Sequence, residues 1–339
     1  MQQSVAVLYN ESSGLIKGMA RDMLAERGVV ACARQVAAAL EESSRRVALV
    51  PILSSVEEAL ALYPPREWIV FNLGEGLEGR LFEEARIAWA LEAMGYRFTG
   101  ASGDTLARST HKGHTKRLLL AAGIPTPPWK EYCHPEEVEI VSGNGWEGLR
   151  FPLIVKPVAE DGSLGIGPEA VVHSPAMLQQ RVGYVLTNYR QVALAEQFVH
   201  GREFNVSLWG DPVQVLPLAE VDLDDFDHPC ERIVSFAAKW EVGSFPYCHT
   251  PVTCPAEVDP GLAASITDVA RRTWAHMGCH GYARVDMRVG DEGTPYVLEI
   301  NCNPDISPDA GFFRSAQAAG YDYPAMVTHI LELAHSRWN

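Results

Sequence analysis

The chain of 339 residues predicts an α/β fold that continues into α+β units, on three observations. Near the N-terminus, short apolar runs alternate with helix-length segments, the pattern of βαβ units around a parallel sheet. From Phe151 the pattern changes to strands joined by loops. Close to the C-terminus, Gly281-Tyr-Ala-Arg-Val-Asp-Met-Arg-Val289 and Pro295-Tyr-Val-Leu-Glu-Ile-Asn-Cys-Asn-Pro304 read as the arms of a β-hairpin around a turn rich in Gly and Asp. At about 150 residues per domain, the length suggests two or three compact units.

In the first unit, residues 5–9, 47–53 and 68–73 are strands, separated by helices over 19–40 and 56–63. Residues 83–94 form an amphipathic helix, and 95–100 end it and add a short strand. Residues 104–122 read as one connecting helix, stopped by Gly123-Ile-Pro-Thr-Pro-Pro128, whose prolines lack the N–H a helix needs. In the second unit 151–157 is a buried strand, and Ser174 is the candidate cap of a helix reaching about residue 186. Residues 192–198 read as a strand leaving that unit, with strands 203–209 and 213–221 opening the third. A capped helix over 259–277, the hairpin and a helix over 324–338 complete it. The expected domains are 1–110, 111–195 and 196–339.

Composition excludes some functions. A net charge of -15 argues against a nucleic-acid partner, because basic footprints supply most of that affinity. Any polyanionic ligand must be held by local cations and a metal. Seven cysteines with no CxxC pair suit reduced thiols, and no stretch approaches the ~18 apolar residues of a membrane span. The N-terminal residues show no secretory signal, so the expectation is a cytoplasmic protein without membrane contact.

The hairpin carries the strongest chemical signal. With a turn centred on Glu292-Gly293, Asp286 faces Glu299 and Arg284 faces Asn301. Alternation puts these four on one face and Val285, Met287, Leu298 and Ile300 on the other. Opposed carboxylates repel, and a hard cation relieves the repulsion, so two carboxylates plus an amide oxygen suit Mg²⁺. A solvated polar strand face would have the same pattern.

Two further segments bear on a ligand. Phe151-Pro-Leu-Ile-Val-Lys-Pro157 ends in Lys156, and a glycine-rich turn follows, in which backbone N–H groups could approach phosphate oxygens. The spacing fits neither GxGxxG nor GxxxxGK[ST], and a surface hairpin would also use these glycines. Ala193-Leu-Ala-Glu-Gln-Phe-Val199-His-Gly-Arg-Glu203 could offer backbone groups to a purine edge and an acid to a ribose, or could be an inter-domain strand with solvated acids.

Together, "PLIVKP", "LAEQFVHGREFNV" and "ARVDM…YVLEINCNP" resemble, in order and spacing, the ATP-grasp superfamily, and within it the D-alanine:D-alanine ligase-like branch. The resemblance runs from about residue 70 to 332. It implies an ATP-grasp fold with an N-terminal Rossmann-like (pre-ATP-grasp) domain and two α+β subdomains clasping ATP. Lys112 and Lys156 match phosphate-binding lysines, and Glu160, Gly162, Ser163 and Gly165 a flexible loop over the triphosphate. Glu196, Gln197 and Val199 match the adenine hinge, Glu203 the ribose acid, and Lys239 a lysine reaching the γ-phosphate. Asp286, Glu299 and Asn301 match metal ligands for two Mg²⁺, with Mn²⁺ suited to the same oxygens, and Arg284 an arginine that stabilises a tetrahedral oxyanion. A homodimer through the first domain is usual in the family.

The substrate ends depart from that pattern. Glu11, in Tyr9-Asn-Glu-Ser-Ser-Gly14, stands where those ligases bind an ammonium, and Phe71-Asn-Leu-Gly-Glu-Gly-Leu-Glu-Gly-Arg80 replaces their His-Gly loop. Asp305-Ile-Ser-Pro-Asp-Ala-Gly-Phe-Phe-Arg314 replaces their acceptor Ser-Leu pair. The expectation is therefore an ATP-dependent carboxylate–amine ligase acting through an acyl phosphate on small molecules, amino acids among them, other than two D-alanines. The acyl donor would sit near Glu75, Arg80 and Arg284, and the acceptor near Ser307, Ala310, Gly311 and Arg314. An authentic D-alanine:D-alanine ligase and a non-catalytic nucleotide sensor stay open as alternatives.

Overall fold

The structure, a computed structural model, describes residues 3–11, 18, 19, 22–77, 80, 81, 83–138 and 149–337. β1 (Ser4–Asn10) lies between β2 (Val47–Ile52) and β3 (Trp68–Leu73) in a parallel sheet, with Val7 opposite both Leu49 and Phe71. All of β3, and β1 beyond Ser4, are buried, which is why these strands read as unbroken apolar runs. The crossovers use α1 (Met23–Glu42) and α2 (Val56–Ala59). β4 (Gly76–Leu77) pairs with β5 (Arg80–Leu81), α3 (Glu84–Ala93) follows, and the strand expected over 95–100 is a single parallel bridge from Phe98 to Val70.

The expected single connecting helix is two: α4 (Gly103–Thr110) and α5 (Lys112–Ala121). His111 between them is extended, at φ -89° and ψ 98°, and its Nδ1 accepts the amide of His114 at 3.2 Å. A local side-chain cap here competes successfully with continued helix. The break directs Lys112 into the protein, where its amide donates to the Val158 carbonyl at 2.9 Å.

The second sheet is antiparallel. It contains β6 (Trp129–Tyr132), β7 (Leu153–Pro157), β8 (Val171–Val172) and β9 (Ala193–Gln197), in the order β6-β9-β7-β8. α6 (Pro175–Tyr189) covers it, starting at Ser174, whose hydroxyl accepts the Met177 amide. β9 does not leave the unit as expected; it pairs on both sides within this sheet and spans the division drawn at 195/196.

The third sheet gathers β10 (Arg202–Trp209), β11 (Gln214–Val215), β12 (Ala219–Val221), β13 (Val252–Thr253), β14 (Tyr282–Val289) and β15 (Pro295–Asn301). Its order is β13-β12-β10-β14-β15, with β11 beside β10. α7 (Phe236–Trp240), α8 (Phe245–Cys248), α9 (Pro260–Met277), α10 (Gly311–Ala318) and α11 (Tyr323–Arg337) complete the chain, α9 being capped by Asp259. All seven cysteines are free. No helix among the described residues is long and apolar enough to cross a membrane.

The hairpin reaches the expected register by a different route. Val289 pairs with Pro295 and Met287 with Val297, one residue away from the expected pairing, and a bulge then brings Asp286 opposite Glu299 and Arg284 opposite Asn301. The extra residue is Leu298, so it lines a cavity, while Val297 is fully buried in the core position. One core runs from Leu8, Val70 and Phe98 into Phe204, Val285 and Val297, and another joins α1 to α11. The second sheet has its own core around Tyr132, Val155 and Val182. The first and third units thus form one packed body, against which the second is set.

The bulge predicts a contrast between neighbours. Val297→Ala should cost about 1–3 kcal/mol of stability by leaving a cavity in the shared core. Leu298→Ala should leave the melting temperature nearly unchanged and weaken nucleotide binding, as read by thermal denaturation and calorimetry.

Candidate active site

The pairing of β10 with β14 sets Glu203 opposite Arg288, Asn205 opposite Asp286 and Ser207 opposite Arg284. Because side chains repeat every second residue, these six join Glu299 and Asn301 in one polar face across three strands. Over it lies a cavity of about 600 Å³, also lined by Gly162 and Ser163 of the loop after β7 and by α1 and α3.

Arg284 clamps Asp286 with two bonds, Nε to Oδ1 at 2.7 Å and Nη2 to Oδ2 at 2.9 Å, and Asn205 Nδ2 donates to Oδ1 at 2.8 Å. Lys112 reaches Glu299 at 3.2 Å and Asp161 at 2.9 Å, and also donates to the Glu160 carbonyl. Burial raises the Glu299 carboxyl, but Lys112, Lys156, Lys239 and Arg284 outweigh it and bring the group down to about 2. Asn301 Oδ1 accepts the Asn303 amide at 2.8 Å. Asp286, Glu299 and Asn301 therefore present an oxygen-only set that fits Mg²⁺, with cations already balancing the carboxylates.

At the opposite wall Glu196, 1% exposed, is held between Lys116 at 2.6 Å and Lys156 at 2.5 Å. Burial lowers Lys116 to about 8, with Glu196 offsetting part of the effect. Gln197 and Val199 line the cavity beside it. Glu203 accepts from Arg288, Nε at 2.9 Å, and Arg288 Nη1 donates to the Val199 carbonyl at 3.0 Å. Sequence reasoning missed Asn205, Lys116 and Arg288; the period of two in Arg284-Val-Asp286-Met-Arg288 was a signal for the last.

The loop after β7 is latched to the third unit. Trp240 Nε1 donates to the Gly162 carbonyl at 2.8 Å, and Ser163 Oγ to the Val234 carbonyl at 2.7 Å. Gly162 and Ser163 both take φ of 60°, the left-handed region that lets the loop double back. Lys239 and Lys156 line the cavity under this loop. Glu160 and Gly165 do not line it: Glu160 accepts from Gln191, and the Gly165 carbonyl from Arg181.

Of the expected substrate residues, Glu75, Ala310, Gly311 and Arg314 line the cavity. A Cβ on Gly311 would meet nothing within 4 Å, so space is open there. Ser307 does not line it; its hydroxyl donates to Asp305 at 2.6 Å, in a turn that leaves Asp305 at the cavity instead. Glu11 is exposed and does not line the cavity; its amide extends the pairing of β1 with β2 to the Ile52 carbonyl. Arg80 is in β5, but its side chain lies outside the described residues, as do residues 12–17. Glu84, Asp305 and Cys32 line the cavity without having been anticipated.

A cavity between a glycine loop from one antiparallel sheet and an acidic hairpin face on another is the architecture of an ATP-grasp ligase. The chain belongs to the D-alanine–D-alanine ligase family: residues 118–332 match the family model for the D-ala D-ala ligase C-terminus. It is similar to an uncharacterized protein of Sinorhizobium fredii, y4sG, at 34% identity over 313 residues, 90% of this chain and 88% of that protein. It is 30% identical to a D-alanine–D-alanine ligase of Bordetella avium over 263 residues, 75% of each. In fold it is similar to the D-alanine–D-alanine ligase of Bacillus anthracis complexed with ATP, with a TM-score of 0.76, 20% identity and 99% of both chains covered.

The Trp240 latch gives a direct test. Trp240→Phe keeps the ring and removes the donor, a loss of about 0.5–1.5 kcal/mol. Limited proteolysis within 160–167 should accelerate about two- to tenfold, and a nucleotide should restore protection; an unchanged rate would show that the hydrogen bond does not hold the loop.

Proposed function

We propose that the protein is an ATP-dependent carboxylate–amine ligase that forms an amide bond through an acyl phosphate. The observation that carries this reading is the joint presence, around one cavity, of the cations Arg284, Lys156 and Lys239 and the oxygen donors Asp286, Glu299 and Asn301.

A carboxylate is a poor electrophile, and phosphorylation by ATP supplies a leaving group. Lys156 and Lys239, with Lys112 beneath them, would hold the phosphates and offset charge on the group in transfer. Mg²⁺, held by Asp286, Glu299 and Asn301, would neutralise phosphate charge there. Glu196, Gln197 and Val199 would border the adenine, and Glu203, oriented by Arg288, would accept the ribose hydroxyls. Gly162 and Ser163 would close over the triphosphate and exclude water, which otherwise competes for the acyl phosphate. Arg284 spends Nε and Nη2 on Asp286, which leaves Nη1 for the oxyanion formed when the amine attacks.

Substrates other than two D-alanines are favoured by Ala310 and Gly311 at the cavity wall, by the open space beyond Gly311 and by Arg314 beside them. The relatives named as D-alanine–D-alanine ligases favour the second reading, that D-alanine is both donor and acceptor. Phosphate release over amino acids, singly and in pairs, decides between them; efficient release with D-alanine alone at millimolar concentration would establish the second. Arg284→Ala should lower kcat about 10²–10³-fold while calorimetric ATP affinity changes little. A collapse of ATP affinity with normal residual turnover would make Arg284 a nucleotide ligand instead.

A further inference from the structure

Beyond Asn301 the polar face of the hairpin has one more member. With Arg284 opposite Asn301, the next pair along the face is Tyr282 with Asn303, and the two side chains meet, Tyr282 Oη donating to Asn303 Oδ1 at 3.0 Å. Asn303 is held at a second point by its own amide, which donates to Asn301 Oδ1 at 2.8 Å. Tyr282 is fully buried, its ring packed edge-on against Phe312 with centroids 5.5 Å apart. Burial, with Cys32, Glu75 and Asp305 nearby, raises its phenol above the ordinary value, so the hydroxyl keeps its proton and must donate it. Asn303 Oδ1 is the acceptor, and this fixes which way round the side-chain amide stands. Its Nδ2 faces away from Tyr282 and has no partner among the described residues. Asn303 is 7% exposed and lines the cavity, so what surface it has is open to a ligand.

We propose that Asn303 is a further catalytic residue, whose Nδ2 donates, beside Arg284, to the carbonyl oxygen of the substrate's acyl phosphate. This rests on the ligase reading. When the neutral amine attacks, its lone pair forms the C–N bond and the C=O pair moves onto the oxygen. The return of that pair breaks the bond to phosphate, which leaves with the bonding electrons and takes up the proton that the amine nitrogen sheds. The oxyanion has lone pairs on more than one side, and Arg284 can fill one of them, with Nη1 the nitrogen left after its clamp on Asp286. Part of the guanidinium charge is also cancelled by that carboxylate. A second donor gains strength as charge collects on the oxygen, and diagonal neighbours on one strand face lie within reach of the same small group. A neutral amide suits the place, because it adds a donor without drawing Asp286 or Glu299 away from a metal, as a further cation would. The bond from Tyr282 holds the amide before substrate arrives, so no reorganisation falls on the chemical step.

The test is Asn303→Asp in the full chain, which keeps an oxygen for Tyr282 and replaces the donor by a negative charge. Phosphate release from ATP and Mg²⁺ is measured with the common L-amino acids and D-alanine, alone, in pairs, and with hydroxylamine as a small neutral acceptor. The kcat should fall at least about 10²-fold with little change in the KM for ATP. A stoichiometric burst of ADP should survive, because forming the acyl phosphate does not call on the oxyanion donor. A structural fault in the turn would lower burst and steady rate together. Tyr282→Phe, which frees the amide to turn, should lower kcat about three- to tenfold and serves as the second variant if the first misfolds, with thermal denaturation reporting on both. Steady release within about twofold of wild type in the folded variants, or a burst lost along with the steady rate, overturns the assignment and leaves the ligase reading standing. No release by the wild type under any of these conditions sinks the ligase reading, and the assignment falls with it.

Discussion

One ammonium group ties the candidate active site together. Lys112, 3% exposed, touches Asp161 on the loop after β7 and Glu299 on the hairpin, and thereby joins the connecting helix to both walls of the cavity. Burial alone would lower its pKa, but the two carboxylates more than reverse this, so it stays charged. Without it, the half-buried carboxylates of Asp161 and Glu299 would lose the cation that bonds both, and their mutual repulsion would be offset only by more distant charges such as Lys239. The lysine can occupy that point only because the helix is interrupted at His111. A single side-chain cap thus decides where a charge of the candidate site is delivered.

The same economy explains what could be read in the sequence. Strands of the first sheet, the caps Ser174 and Asp259 and the polar face of the hairpin were legible because each follows from a local rule: unbroken apolar runs, a hydroxyl or carboxylate before a helix, a period of two. The His111 break was not, since the rule that favours helix over 104–122 is also local and is outweighed by a single side chain. The hairpin is more instructive. A turn displaced from the expected centre and a bulge at Leu298 compensate each other, so the pairing of Asp286 with Glu299 was reached from a wrong turn, and only Leu298 was placed on the wrong face. No local signal announces a bulge in Tyr-Val-Leu-Glu-Ile.

Glu84 and Asp305 were illegible for another reason. Their position at the cavity is defined by a space between units, and a sequence does not show which loops close it. Glu11 follows the end of the central strand β1 and does not line the cavity, whereas Glu84 lies in the first turn of a helix whose amphipathic pattern gives no hint of a site. The division of cores bears on this. α3 and the hairpin belong to one packed body, so the distance from Glu84 to Arg284 is set by a shared core, while the second sheet has a core of its own and meets the third unit through smaller clusters around Phe236 and Ile233.

The cavity concentrates cations inside a chain of net charge -15. Lys156, Lys239, Arg284 and Arg288 line it, and Lys112, Lys156, Lys239 and Arg284 together hold the Glu299 carboxyl far below its ordinary range. In a low-dielectric cleft, fields of this kind act over the length of a small molecule and are screened little by salt. A polyanion is the ligand such a field favours, so on the ATP-dependent reading a triphosphate would be drawn to this cluster before any hydrogen bond forms.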